Sequence, residues 1–145
     1  MAKVESRMEN FLISDVLDYA SGTADRNSAS VDMAGKEWVL FIAKFATVAA
    51  GAVTSVKLQQ SADDSSFADL AGTGITVAAD DDNQSFAIAL YRPSDRYVRL
   101  VVDKDAANAT AETAIAISDP AGVGLASITD EITVEMHYSP AEGTA

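Results

Sequence analysis

Through most of the stretch from Val53 to Val102, apolar side chains recur at every second position. This is the period of a pleated strand with one buried face. Val56 and Leu58 alternate with Lys57 and Gln59, Phe86 and Ile88 lead to Leu90, and Val98, Leu100 and Val102 follow. Each run is bounded by turn chemistry: Ala62-Asp63-Asp64-Ser65-Ser66, Asp80-Asp81-Asp82-Asn83, and Tyr91-Arg92-Pro93-Ser94-Asp95. Aspartate and asparagine suit such turns because their side chains bond the nearby backbone. Pro93, which has no N–H to donate, forbids a central strand there. Short strands are also predicted over Phe67–Leu70 and Thr73–Val77.

The same pattern extends outwards on both sides. Ser28–Met33 alternates as a half-buried strand, and Gly35 is the expected positive-φ residue of the tight connection that follows. Glu37–Phe45 is almost continuously apolar, aromatic and β-branched, which predicts a central strand buried on both faces. Asn10–Ala20 is ambiguous. Phe11, Leu12, Val16 and Tyr19 fit a helical stripe, whereas Phe11, Ile13 and Leu17 fit a strand, and the turn residues after them favour the strand. Thr110–Ile117 is expected to bury Thr113, Ile115 and Ile117. Ile132, Val134 and Met136 then alternate with Thr133, Glu135 and His137. Nine or ten short strands with turns between them predict an all-β, antiparallel, jelly-roll-like β-sandwich in a single domain. The expected organisation is an N-terminal arm over residues 1–10, the sandwich over 11–138, and a tail over 139–145, with both ends flexible.

Composition narrows the function. A chain of 145 residues is long enough to bury a core without a staple, and it has no cysteine, so thiolate chemistry, zinc thiolates and disulfides are absent. With 22 acids against 10 bases the net charge is −12, the wrong sign for a nucleic-acid or anionic-lipid footprint. No apolar run is long enough for a transmembrane helix, and the first residues lack the pattern of a signal peptide. Synthesis in the cytoplasm is therefore expected. Alanine is common even where alternation indicates strand, and each such position gains little from burial.

No motif builds a catalytic centre, so neither catalytic residues, metal ligands nor a cofactor are expected. Asp80, Asp81 and Asp82 are consecutive rather than alternate and lack the terminal glutamate of a calcium loop, so they read as a solvated turn. Asp63 and Asp64 read likewise. His137 is the lone histidine, and no serine lies in a nucleophile elbow; a surface histidine is the plainer reading. The glycine pairs Gly72/Gly74 and Gly122/Gly124 lead into no helix with a lysine, so they are turns rather than phosphate cradles. Arg92, Arg96 and Arg99 beside Tyr91 and Tyr97 form a small basic-aromatic set, for which pairing with nearby acids is the simpler account.

Residues 56–70, Val-Lys-Leu-Gln-Gln-Ser-Ala-Asp-Asp-Ser-Ser-Phe-Ala-Asp-Leu, carry a resemblance together with residues 95–102, Asp-Arg-Tyr-Val-Arg-Leu-Val-Val. With the Ser30–Gly35 strand before the apolar run, they resemble tailed-bacteriophage virion structural proteins of the head decoration, or cement, type. The resemblance covers about residues 28–118. It departs at Ser65, where glycine is commoner, and in the segment from Leu125. It implies a protein of the virion capsid surface that binds the major capsid protein, and itself as a homo-oligomer, and that stabilises contacts between capsid subunits. It implies binding neither to nucleic acid nor to membrane. Phe11, Leu12 and Ile13 are the expected partner-binding residues. A head–tail connector or tail component, and a carbohydrate-binding sandwich module, remain the alternatives.

Overall fold

The computed structural model describes residues 11–119 and 132–145. Among them are eleven strands: β1 (Leu12–Gly22), β2 (Arg26–Asn27), β3 (Val31–Asp32), β4 (Trp38–Val48), β5 (Thr54–Ser61), β6 (Ala68–Asp69), β7 (Ile75–Val77), β8 (Ser85–Tyr91), β9 (Tyr97–Lys104), β10 (Thr110–Asp119) and β11 (Ile132–Tyr138). They form two sheets of a sandwich. The first, sheet A, has the order β1-β10-β4-β8-β11. The second, sheet B, has β9 and β5 at its centre, flanked by β2 and β3 on one side and by β6 and β7 on the other.

β4 is the middle strand of sheet A, as its unbroken apolar run predicts. Its odd residues Val39, Phe41, Ala43 and Phe45 turn inwards to meet Phe86, Ile88 and Leu90 of β8 and Val56, Leu58, Val98, Leu100 and Val102 of sheet B. Phe45 and Phe86 pack edge to face with centroids 5.5 Å apart, a favoured aromatic geometry. In β1 the ambiguous segment is a strand. Register shifts between Asp15 and Leu17, and between Leu17 and Ala20, interrupt its alternation, and Val16 and Leu17 are both buried. Pairing is antiparallel throughout, except that β11 runs parallel to β8.

The two sheets are also tied by charge. The fully buried Glu112 of β10 receives Lys104 Nζ of β9 at 2.9 Å and Arg26 Nη1 of β2 at 3.1 Å. The Thr110 hydroxyl donates to the other carboxylate oxygen at 2.7 Å. Lys104 also donates to the carbonyls of Gly22 and Thr110. Every charge in this cluster is paired, the condition under which burying them is tolerable.

β10 overturns one expectation. Its core-facing residues are Ala111, Glu112, Ala114, Ala116 and Ser118. Ile115 and Ile117 point the other way, and Thr113, half-buried, donates to the Leu17 carbonyl. Alternation separates the two faces of a strand without saying which one meets the core. Here β10 lies beside β4, whose phenylalanines fill the interior and leave room for alanine opposite.

The expected N-terminal arm, residues 1–10, lies outside the described residues, as do Gly122 and Gly124. Residues 139–145 run across to sheet B. Ala71 donates to the Ala141 carbonyl, Gly72 to Thr144, and Gly143 to Asp69. Gly35 and Gly72 do adopt positive φ, 72° and 74°, a conformation that glycine takes without steric cost.

Candidate docking face

The outer face of sheet A is built from rows of side chains that cross its strands. One row runs over all five: Ile13, Ile117, Leu40, Ala89 and Met136. The next reads Asp15, Ile115, Ile42, Ala87 and Val134. At one end Trp38, Tyr91 and Tyr138 lie in line, with the tyrosine rings stacked 6.1 Å apart. Because partners in register share a face, the even residues of β4 and the odd residues of β8 and β10 necessarily gather here.

The centre of this face is packed and its rim is open. Trp38, Leu40, Ala87 and Ala89 are buried, with Phe11, Ile42, Tyr91, Ile117 and Val134 partly buried against them. Around them Ile13 is 67% exposed, Met136 63%, Tyr138 65% and Ile115 37%. The Trp38 indole N–H is buried with no acceptor among the described residues. A run of exposed apolar side chains on one sheet face is the kind of patch that marks an interaction site.

Of the sequence-predicted partner residues, Phe11 and Ile13 lie at the β1 side of this face and Leu12 does not. Phe11 packs edge-on against Trp38 with ring centroids 6.2 Å apart. Leu12 and Ile13 belong to β1 itself, in register with Ser118 and Ile117. Ile13 joins the outer row, whereas Leu12 points to the inner side at the sheet's edge. The β11 side of the face lies far from them in sequence. Met136 and Tyr138 reach it only through the pairing of β11 with β8.

The outer face of sheet B differs. Lys57 bridges Asp69 at 2.9 Å and Asp103 at 3.5 Å. Gln59 donates to Asp69 and accepts from Arg99, and the Arg99 guanidinium lies 3.9 Å from the centroid of the Phe67 ring. The arginines of the basic-aromatic set are engaged rather than grouped for a ligand. Arg92 bonds Glu37, Arg96 grips Asp32 through two nitrogens, and Arg99 meets Gln59. An open depression of about 390 Å³ beside Met33, Lys36, Pro93 and Asp95 includes Arg92 and Arg96, both already paired.

The acid clusters cap turns. Asp63 accepts from the Ser65 and Ser66 N–H groups and the Ser61 hydroxyl. Asp81 accepts from Ala78 N–H, and Asp82 from Val48 N–H. Asp105 accepts from Ala107 and Asn108, and these bonds hold its carboxyl down at about 2. His137 stands on the inner side of β11, 3.0 Å from Glu135.

No protein-family model matches the sequence, and no curated protein matches it. Solved structures are similar to it to different degrees. The chain is similar to the PBSX exported protein XepA, at 14% identity and a TM-score of 0.56 over 82% of this chain. It spans about two-fifths of XepA's length, 40% of that chain. Looser similarity links it to structures of infectious bursal disease virus. For the Gt strain the identity is 12% and the TM-score 0.43, over 77% of this chain and 32% of that one. For the T13 particle the values are 11% and 0.44, over 76% and 31%. The class defined by the fold is thus an all-β, two-sheet sandwich shared with the PBSX exported protein XepA.

Proposed function

We propose that the protein is a structural component of a tailed-phage virion. Within that class it is a head decoration, or cement, protein on the capsid surface, holding neighbouring major capsid protein subunits together. The role is adhesion without turnover. The observation that carries this reading is the apolar outer face of sheet A, with Ile13, Ile115, Met136 and Tyr138 exposed around a packed Trp38–Leu40 centre. The resemblance of residues 56–70 and 95–102 to virion proteins supports it, and the fold is shared with the PBSX exported protein XepA.

Adhesion through such a face gains from repetition. A lattice offers the same site many times, so modest affinity per copy sums to a large stabilisation of the shell. Phe11 and Ile13 form the β1 end of the contact, with Leu12 on the inner side of the same strand end. The test is to purify particles of the phage that carries the gene and count copies of the protein by quantitative gel. Many copies spread over the shell support decoration. A single ring of copies at one vertex assigns it to the head–tail connector, and absence from the particle refutes a virion role.

A further inference from the structure

We infer that the chain self-associates as a two-fold dimer through the edge of β11 away from β8, in one specific register. This inference concerns the edge of β11 rather than the outer face of sheet A, although Val134, Met136 and Tyr138 belong to both, and it does not rest on a virion role. Among the described residues, β11 pairs only with β8, and none of them pairs with its other edge. The edge is flat: its register with β8 runs without a bulge from Ile132 to Tyr138. It contains neither proline nor lysine, the residues that commonly block pairing at an edge.

The backbone shows which groups are available. Ser139 N–H donates to the Tyr91 carbonyl of β8 at 2.8 Å. The carbonyl of Tyr138, across the same peptide unit, therefore points away from β8. By strand alternation the N–H and C=O groups of Val134, Met136 and Tyr138 face the edge away from β8. A second copy running antiparallel meets them when even residues stand opposite even residues.

Side-chain chemistry then selects among the allowed registers. With Met136 opposite Met136, Val134 faces Tyr138 and Glu135 faces His137, each pair occurring twice. The first pair matches a β-branched residue with an aromatic one. The second sets a carboxylate acceptor against an imidazole, in the closer, non-hydrogen-bonded type of pair. Sliding by one step in either direction places Glu135 against Glu135 or His137 against His137. The favoured register forms about six main-chain hydrogen bonds and stops at Pro140, which has no N–H to give. It also joins two copies of sheet A edge to edge.

The test is sedimentation velocity on the full chain at concentrations up to about 0.1 mM, with a cross-linking arm. The wild type is expected to dimerise reversibly. Glu135→His alone and His137→Glu alone should each weaken the dimer about tenfold, and the double swap should restore it. Glu135 and His137 also bond within one strand at 3.0 Å, so the swap restores both pairings, and the cross-linking positions decide which of them holds the dimer. Because the chain lacks cysteine, Met136→Cys places one thiol on the two-fold axis and should give a covalent dimer under mild oxidation. Tyr138→Cys should not, because its counterpart is Val134. A monomer throughout the range overturns the inference, as does equal cross-linking at both positions or a double swap no better than the single changes.

Discussion

The two outward faces of the sandwich carry different chemistry on the same architecture. On sheet B, Lys57, Gln59, Asp69, Arg99 and Asp103 bond one another along the surface, and their charges meet water. On sheet A, five strands present isoleucine, leucine, tryptophan, tyrosine and methionine instead. Solubility accounts for the first face. The second exposes Ile13, Ile115, Met136 and Tyr138, the kind of apolar patch that marks an interaction site. Which side of each strand is apolar therefore carries the functional information, and strand pattern alone does not hold it.

Neighbouring residues on β10 sharpen the contrast most. Ala114 faces the core against Ala43 and Leu17, so Ala114→Asp buries an unpaired charge and should cost several kcal/mol, enough to prevent folding. Ile115, one residue on, faces outwards opposite Asp15; Ile115→Lys should change stability by about 1 kcal/mol yet abolish binding to particles that lack the protein. Chemical denaturation and particle co-sedimentation together read both outcomes. Equal destabilisation by the two variants would erase the distinction between the faces.

The ion cluster between the sheets comes next in size. Glu112→Gln leaves Lys104 and Arg26 without their carboxylate and should cost about 3–5 kcal/mol, read from a urea midpoint. On the outer face of sheet B, Lys57→Ala removes partly exposed pairs and should cost only about 0.5 kcal/mol with particle binding unchanged.

The smallest effect is acid dependence. Hydrogen bonds from Arg96, then from Ala34 N–H, hold Asp32 at about 2, and Asn108 and Ala107 N–H groups hold Asp105 there. Both carboxyls titrate lower in the folded chain than their ordinary value of 3.8. Their contribution is full above that value and fades as pH falls towards 2. Asp105→Asn should flatten the stability profile between pH 4 and 2 and leave its shape near neutrality unchanged.

Much of this was legible in the residues. Trp38–Phe45 announces a central strand because both of its faces are apolar. The inward sets of β5, β8 and β9 follow from simple alternation, and Gly35 and the aspartate turns from backbone chemistry. What was hidden depends on contacts distant in sequence. β10 was read with the wrong face inwards because isoleucine is larger than alanine, while the space beside Phe41 and Phe45 decided the matter. Glu112 reads as a surface acid until Lys104 and Arg26 close on it. Phe11, Leu12 and Ile13 are partner residues expected from their apolar character near the chain start; the fold sets Phe11 and Ile13 on the outer side of sheet A and turns Leu12 to the inner side. Ile115, Met136 and Tyr138 were missed as a set, since only the pairing of β1, β10, β4, β8 and β11 brings them together.

The most direct measurement is covalent footprinting by mass spectrometry, comparing the free protein with the protein bound to phage particles. Ile13 and Ile115, which lie away from the β11 edge, should lose reactivity on binding, while Lys57 and Phe67 keep theirs. Continued labelling of Ile13 and Ile115 on the particle, with protection moved to the Lys57 side, would contradict a shell contact made by sheet A.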